Sequence, residues 1–181
     1  MVGIHKKMTK NTFNINYLIS KNEKESINKI NNANQFETDV IKDSWISIII
    51  GDYEYGGFPV NETEGGDELL DLWFTSFKEV YNQLKSNTEV ILNYWENPFD
   101  YFEFIMEDKN ISVRFLRKKL LIENQRIQNN IVCGVDLIAE TILSTDSFLK
   151  TIKETVNNYW DEVARLNPIL CDFTRTKKIF R

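Results

Sequence analysis

Two neighbouring segments of alternating apolar residues limit the fold of this chain more than any other feature. They cover 99–107 and 110–118, and their apolar faces consist of Phe102, Phe104, Met106, Ile111, Val113 and Phe115. This period-two pattern predicts two half-buried strands joined by a tight turn at 108–109. Their pairing places Glu103 opposite Arg114, and a shift by one residue would turn the apolar faces towards water.

Other segments with strand or cap signals precede this hairpin. Period-two alternation predicts a short strand over 12–18, and a β-branched and aromatic run predicts one strand over 44–55. A third strand is expected over 89–95. The spacing of Ser20 and Glu23 is that of a capping box, which predicts the start of a short helix.

Apolar residues at three- and four-residue spacing predict helices. One stripe runs over 69–84, in a helix that we expect to open at Asp67 and Glu68, whose charges complement the positive end of the helix dipole. A second stripe over 149–166 starts near Ser144 and ends before Pro168. A short helix is predicted over 135–143.

The order of these elements predicts an α+β fold. We expect one domain over 1–181, because a chain of 181 residues can bury a sizeable core without metal or disulfide support. Strands that follow one another closely favour an antiparallel meander sheet packed against helices, with a long C-terminal helix. Residues 1–11 are expected to form a flexible tail.

Several classes of function are disfavoured by what the sequence lacks. His5 is the only histidine, which excludes or strains a Ser-His-Asp triad, a Cys-His pair and the common histidine metal sites. No glycine-rich phosphate-binding motif occurs. The net charge of −5 argues against a general nucleic-acid binder. No apolar run approaches the ~20 residues of a membrane span, and no secretory signal is recognised, so we expect a cytoplasmic protein without membrane contact.

The charge is unevenly distributed along the chain. Residues 43–108 carry 15 acidic and 2 basic side chains, a balance of −13, whereas 1–42 carry +3 and 109–181 carry +5. No basic residue occurs from 43 to 77. The middle segment also holds 14 of the 23 aromatic residues. Acidic side chains without interspersed lysines repel one another, which favours a role in binding another molecule over a role in stabilising the fold.

Acids interleaved with aromatic side chains are typical of a surface that binds a basic protein, because aromatic anchors supply buried area and carboxylates speed association. We therefore expect a non-catalytic protein-binding module that needs no cofactor and no metal ion, as a monomer or a homodimer. The candidate partner-binding residues are Asp52, Tyr53, Glu54, Tyr55, Phe58, Glu62, Glu64, Asp67, Glu68 and Asp71.

Two alternatives remain open on the sequence alone. In a single strand, Asp52 and Glu54 would point to one face and, with Asp67 or Asp71, could hold a divalent cation or serve as paired catalytic carboxylates. This is the hypothesis of a metal-dependent or carboxylate enzyme of unknown substrate. The other alternative is a structural protein whose aromatic surface forms a homo-oligomer interface.

The layout of the chain resembles a known type of protein over roughly 44–166. The stretches ISIIIGDYEYGGFPV, DELLDLWFTSFKEV and NTEVILNYWENPFDYFEFIMEDKNISVRF, followed by a terminal helix, are similar to the small acidic immunity proteins that accompany bacterial polymorphic toxins. The resemblance implies a cytoplasmic bacterial antitoxin that binds and blocks a toxin domain. Against a nuclease toxin, the acidic surface would occupy the basic cleft in place of the phosphate backbone.

Overall fold

A computed structural model describes residues 11–40, 42–59, 66, 68–93, 97–123 and 126–180, without the side chains of 120–133. Almost all of the predicted tail, 1–11, lies outside these residues. The strands are β1 (Phe13–Leu18), β2 (Trp45–Ile50), β3 (Tyr53–Gly56), β4 (Glu89–Asn93), β5 (Asp100–Glu107), β6 (Asn110–Glu123) and β7 (Arg126–Ser144). The helices are α1 (Lys21–Asn28), α2 (Phe36–Asp39), α3 (Leu70–Gln83), α4 (Thr145–Leu166) and α5 (Cys171–Lys177).

The strands form two antiparallel sheets. The three-stranded sheet has the order β1-β2-β3, and the four-stranded sheet has the order β4-β5-β6-β7. The α+β class and the long helix near the C-terminus are therefore confirmed, although the single predicted sheet is replaced by two. Phe148 at the start of α4 contacts Phe13 of β1 at 4.9 Å and Phe104 of β5 at 5.3 Å between ring centroids, so both sheets and α4 share one core.

The predicted hairpin of β5 and β6 is confirmed with its register. Glu103 pairs with Arg114, and the guanidinium Nη1 lies 3.2 Å from the Glu103 carboxylate. The two-residue turn places Asp108 at φ 54°, a left-handed conformation that aspartate tolerates better than most residues.

The prediction of one strand over 44–55 is wrong in one respect, because this segment forms two strands. Gly51 adopts φ 62°, and a Gly51-Asp52 turn folds β3 back onto β2. A glycine at the first position of a two-residue hairpin loop is a recognised reversal signal. Glu54 therefore lies opposite Ile49, away from the face that carries Ile48.

Two other boundaries differ from the sequence predictions. The helix predicted over 135–143 is wrong, because these residues belong to β7 and pair with β6. Pairing with β6 at every one of these positions except Ile138 outweighs a weak local helix signal. Helix α3 begins at Leu70, later than the predicted 67–68, because the chain before it is held in a bridge between Ser44 and Glu68.

One side chain near the C-terminus completes the end of α1. Asn167 is buried after α4, and its Nδ2 donates to the carbonyl oxygens of Ile27 at 2.8 Å and Ile30 at 2.9 Å. Its Oδ1 accepts from the backbone N–H of Ile169 at 3.1 Å. Carbonyls at the end of a helix are short of donors, and Asn167 donates to one in the last turn of α1 and to one just beyond it.

Candidate functional site

The β2–β3 hairpin presents the first four candidate residues with alternating orientation. Tyr53 and Tyr55 pair with Ile50 and Ile48 and are half-buried, whereas Asp52 in the turn is exposed. Glu54, also exposed, points to the other face. The structure thus separates the half-buried tyrosines from the exposed carboxylates, although the sequence analysis predicted that they form one surface.

The two tyrosines are anchors of the hairpin. Tyr53 stacks on Phe115 at 5.4 Å, and Tyr55 meets Phe102 edge-on at 5.7 Å. Burial raises the pKa of Tyr53 despite the opposing charge of Arg117. Because these rings pack on the four-stranded sheet, they fix the hairpin and leave less aromatic area for a partner than the sequence suggested.

The exposed part of the hairpin consists of two carboxylates and one nearby ring. Glu54 accepts a hydrogen bond of 2.6 Å from the Ser47 hydroxyl, which restrains its carboxylate. Phe58 follows β3 closely, and its side chain is 45% exposed. Asp52, Glu54 and Phe58 are the described candidates that face solvent, and we refer to them as the hairpin set.

The acids at the start of α3 are used within the protein. Glu68 accepts a hydrogen bond of 2.7 Å from the indole N–H of Trp73. Asp71 is buried and forms an ion pair of 2.6 Å with Lys42. Tyr55 contacts Trp73 at 5.8 Å, so α3 and the hairpin touch through aromatic rings. The remaining candidates, namely Glu62, Glu64 and Asp67, lie outside the described residues.

A buried polar cluster next to this helix was not foreseen from the sequence. Ser44 donates its hydroxyl to Glu23 Oε2 at 2.7 Å and accepts from the Ser20 backbone N–H at 2.9 Å. Ser20 in turn caps α1 by accepting from Glu23 N, and its hydroxyl donates to Asp43. The capping-box spacing predicted the contact between Ser20 and the Glu23 backbone, whereas the contact between Ser44 and Glu23 depends on the tertiary fold.

Burial dominates the electrostatics of this cluster. It raises the pKa of Glu23 to about 7, while the Ser44 hydrogen bond lowers it and the Asp71 charge raises it further. Burial also raises the pKa of Tyr159 well above its usual value, with the charges of Glu23 and Asp71 adding to the effect. Within the described part of the chain, the Tyr159 hydroxyl and Asp71 Oδ1 have no hydrogen-bond partner.

Concave surfaces and groups of metal-ligating side chains are the usual places of catalytic sites. An open groove of about 210 Å³ is lined by Leu18, Ile19, Ser20, Lys21, Lys24 and Trp45. None of these is a candidate partner-binding residue. Among the residues that the structure describes, no group of three or more His, Cys, Asp or Glu side chains is arranged to hold a metal ion.

The outer face of the four-stranded sheet, opposite the shared core, is the second candidate surface. Its apolar members include Ile91, Tyr101, Ile105, Leu116, Leu137 and Ile142. Ile91, Leu137 and Ile142 are 49%, 53% and 51% exposed. The sequence prediction missed this face because it placed 135–143 in a helix, although the β-branched residues of that segment were an available signal.

A row of charges crosses the same face. Arg114 Nε lies 2.7 Å from Glu140 Oε1 on β7, while Nη1 reaches Glu103 on β5. Ser112 also donates to Glu140 at 2.9 Å. These bonds raise the pKa of Arg114, and the hydrogen bond that Arg114 donates to Glu140 is the largest cause. The face therefore combines exposed apolar side chains with a fixed order of negative, positive and negative charge.

Comparisons with protein-family models, with curated proteins and with solved structures found no match. Among the helices of the described residues, none is long and apolar enough to cross a membrane. The geometry of the two candidate surfaces is therefore the basis for a functional conclusion.

Proposed function

We propose that this chain is a non-catalytic protein-binding module, an immunity-type inhibitor that binds and blocks a basic toxin domain. The hairpin set carries the proposal. Asp52 and Glu54 are exposed within three residues of one another, and Phe58 offers an apolar contact nearby. Carboxylates of this kind attract a basic partner and raise its association rate.

Preorganisation of the hairpin supports this function. The turn at Gly51 and the packing of Tyr53 and Tyr55 hold the backbone, so little conformational freedom is lost when a partner binds. Asp71 is excluded from the contact set that we propose, because its carboxylate is buried against Lys42. The same ion pair occupies an oxygen that a cation would need under the alternative hypothesis of a metal-dependent enzyme.

The test uses the product of a neighbouring toxin-like reading frame as the partner. We expect the double variant Asp52→Asn/Glu54→Gln to slow association about tenfold at low salt, and to lose most of the salt dependence of binding. The matched control is Glu25→Gln/Asp172→Asn, which removes the same charge from exposed positions on α1 and α5. Association rates are measured by surface plasmon resonance at two salt concentrations.

Three outcomes would contradict the proposal. Equal association rates for the hairpin variant and its control would remove the hairpin as the binding site. Binding without inhibition of the partner's toxic activity would contradict the inhibitor role. Saturable binding of Mg²⁺, Mn²⁺ or Ca²⁺ that Asp52→Asn abolishes would favour the metal-dependent enzyme instead.

A further inference from the structure

The outer face of the four-stranded sheet exposes more large apolar side chains than the other sheet. Ile91 lies on the edge strand β4, and Leu137 and Ile142 lie on the opposite edge strand β7, each about half exposed. Half-buried Tyr101 and Leu116 lie between them on β5 and β6. A group of exposed large apolar side chains of this kind is typical of an interaction site.

The charges on this face run in one row across the strands. Glu103 of β5 is paired with Arg114 of β6, which is paired with Glu140 of β7, and Ile91 of β4 completes the row. Neighbouring strands are about 4.8 Å apart, so the charges alternate at that spacing. On one side of the row lie Leu116, Leu137 and Tyr101, whose ring is 5.5 Å from the Lys118 ammonium; on the other side lie Ile105 and Ile142 with Ser112 between them.

The Glu103–Arg114 pair at the centre of this row is complementary to the same pair in a second copy, while Glu140 of one copy faces Ile91 of the other. A two-fold axis parallel to the strands, between β5 and β6, lays β5 of one copy over β6 of the other. Glu103 of each copy then faces Arg114 of the second copy, and all four strands overlap. Sheets that pack face to face keep their strand directions within about 30° of each other, which this axis satisfies. A two-fold contact of this type is closed, so it ends at two copies.

We propose that the outer face of the four-stranded sheet is the interface of a two-fold homodimer. The proposal goes beyond the binding of a basic partner by the hairpin set, because it uses a different surface and a different occupant. The hairpin set lies on the other sheet, so each dimer would offer two such hairpins. Opposite charges that face each other in reciprocal pairs set the register of the two copies.

The first experiment measures the oligomeric state of the chain alone by sedimentation velocity, from about 1 μM to about 100 μM protein. We expect a concentration-dependent dimer. Leu137→Lys/Ile142→Lys places four lysines in the interface of two copies and should raise the dimer dissociation constant at least about 100-fold. The matched control is Asn14→Lys/Asn16→Lys, at exposed positions on the three-stranded sheet, which should leave the dimer unchanged.

A charge exchange tests the axis itself. Arg114→Glu alone and Glu103→Arg alone each place like charges opposite each other in a homodimer, so each should be monomeric. An equimolar mixture of the two variants restores both reciprocal pairs and should form a heterodimer. Thermal unfolding of each variant shows whether it is folded, and the lysine variants above test the interface if either charge variant is not.

A monomer at every concentration would overturn the proposal. So would a dimer that survives Leu137→Lys/Ile142→Lys, or one that the asparagine control variant abolishes equally. Failure of the folded charge variants to recover a dimer on mixing would overturn the two-fold arrangement. These measurements contain no partner protein, so their outcome is independent of the toxin-binding test.

Discussion

The two sheets bury similar inner faces but present different outer faces. On the three-stranded sheet, the outer face carries exposed Asn14 and Asn16, and Glu54 bonded to Ser47. On the four-stranded sheet, it carries exposed Leu137 and isoleucines around a row of ion pairs. Solvent suffices to satisfy the first face, whereas the second retains apolar area that association can bury.

Each sheet also lies next to a buried carboxylate, and the two are satisfied differently. Asp100 at the start of β5 accepts two hydrogen bonds from Arg117, at 2.7 and 2.8 Å. Glu23, between β1 and β2 in the chain, is bonded by the Ser44 hydroxyl. A cation offsets the cost of burying the first charge, while burial raises the pKa of the second group to about 7, so that it is neutral below that pH.

The largest expected effect concerns the aromatic contact that joins the sheets. Phe102 is fully buried and lies 5.0 Å from Phe115 and 5.7 Å from Tyr55 of the other sheet. Phe102→Ala should therefore lower the free energy of unfolding by about 3–5 kcal/mol, measured by urea denaturation. Ile169→Ala, at a 56% exposed position away from the outer face of the four-stranded sheet, is the control and should cost less than about 1 kcal/mol. Similar losses for both variants would show that the contact does not hold the sheets together.

The next effect concerns the pH dependence that Glu23 confers. Its pKa is about 7 in the folded protein and near 4.5 in the unfolded chain, so the folded state binds more protons between these values. Stability should fall as pH rises from about 4.5 to about 7, by a total of about 3 kcal/mol, and then level off. Glu23→Gln removes the charge and should be more stable than wild type at pH 8 by up to that amount.

Urea denaturation at pH 4.5, 6 and 8 measures this difference. Glu25→Gln serves as the control, since Glu25 lies on the same helix and its side chain is 55% exposed. We expect its stability curve to run parallel to that of wild type. A Glu23→Gln curve that also runs parallel would show that Glu23 is ionised in the folded protein over the whole range.

The smallest effect has the opposite sign. Asp100→Asn removes the charge that Arg117 binds, and should lower the free energy of unfolding by about 2 kcal/mol at pH 8. Replacement of a carboxylate by its amide should thus stabilise the protein at Glu23 and destabilise it at Asp100. Thermal melts of Asp100→Asn and Glu23→Gln at that pH test the contrast, and a shift of both in the same direction would remove it.

Local patterns predicted the elements whose signals lie within a few residues. The β5–β6 hairpin followed from alternation and a two-residue turn, and its register was fixed because the apolar face of Phe102 must be buried. Helix α4 followed from its stripe, its Ser144 cap and the stop before Pro168. These features require no knowledge of the remainder of the fold.

The features that could not be predicted depend on distant partners. Residues 135–143 form a strand because β6 is long enough to pair with them. Asp71 is withdrawn from the surface because Lys42, 29 residues earlier, reaches it. The balance of −13 over 43–108 follows from the sequence alone, but it does not show which carboxylates accept a hydrogen bond inside the fold.

The contact of Asn167 with the end of α1 bears on the order in which the chain acquires its structure. The carbonyl oxygens of Ile27 and Ile30 both accept from Asn167, which lies 140 and 137 positions later in the chain. During synthesis, α1 emerges long before its final hydrogen bonds can form. Contacts of such separation slow folding, so we expect α1 to be among the last elements to gain protection from hydrogen exchange.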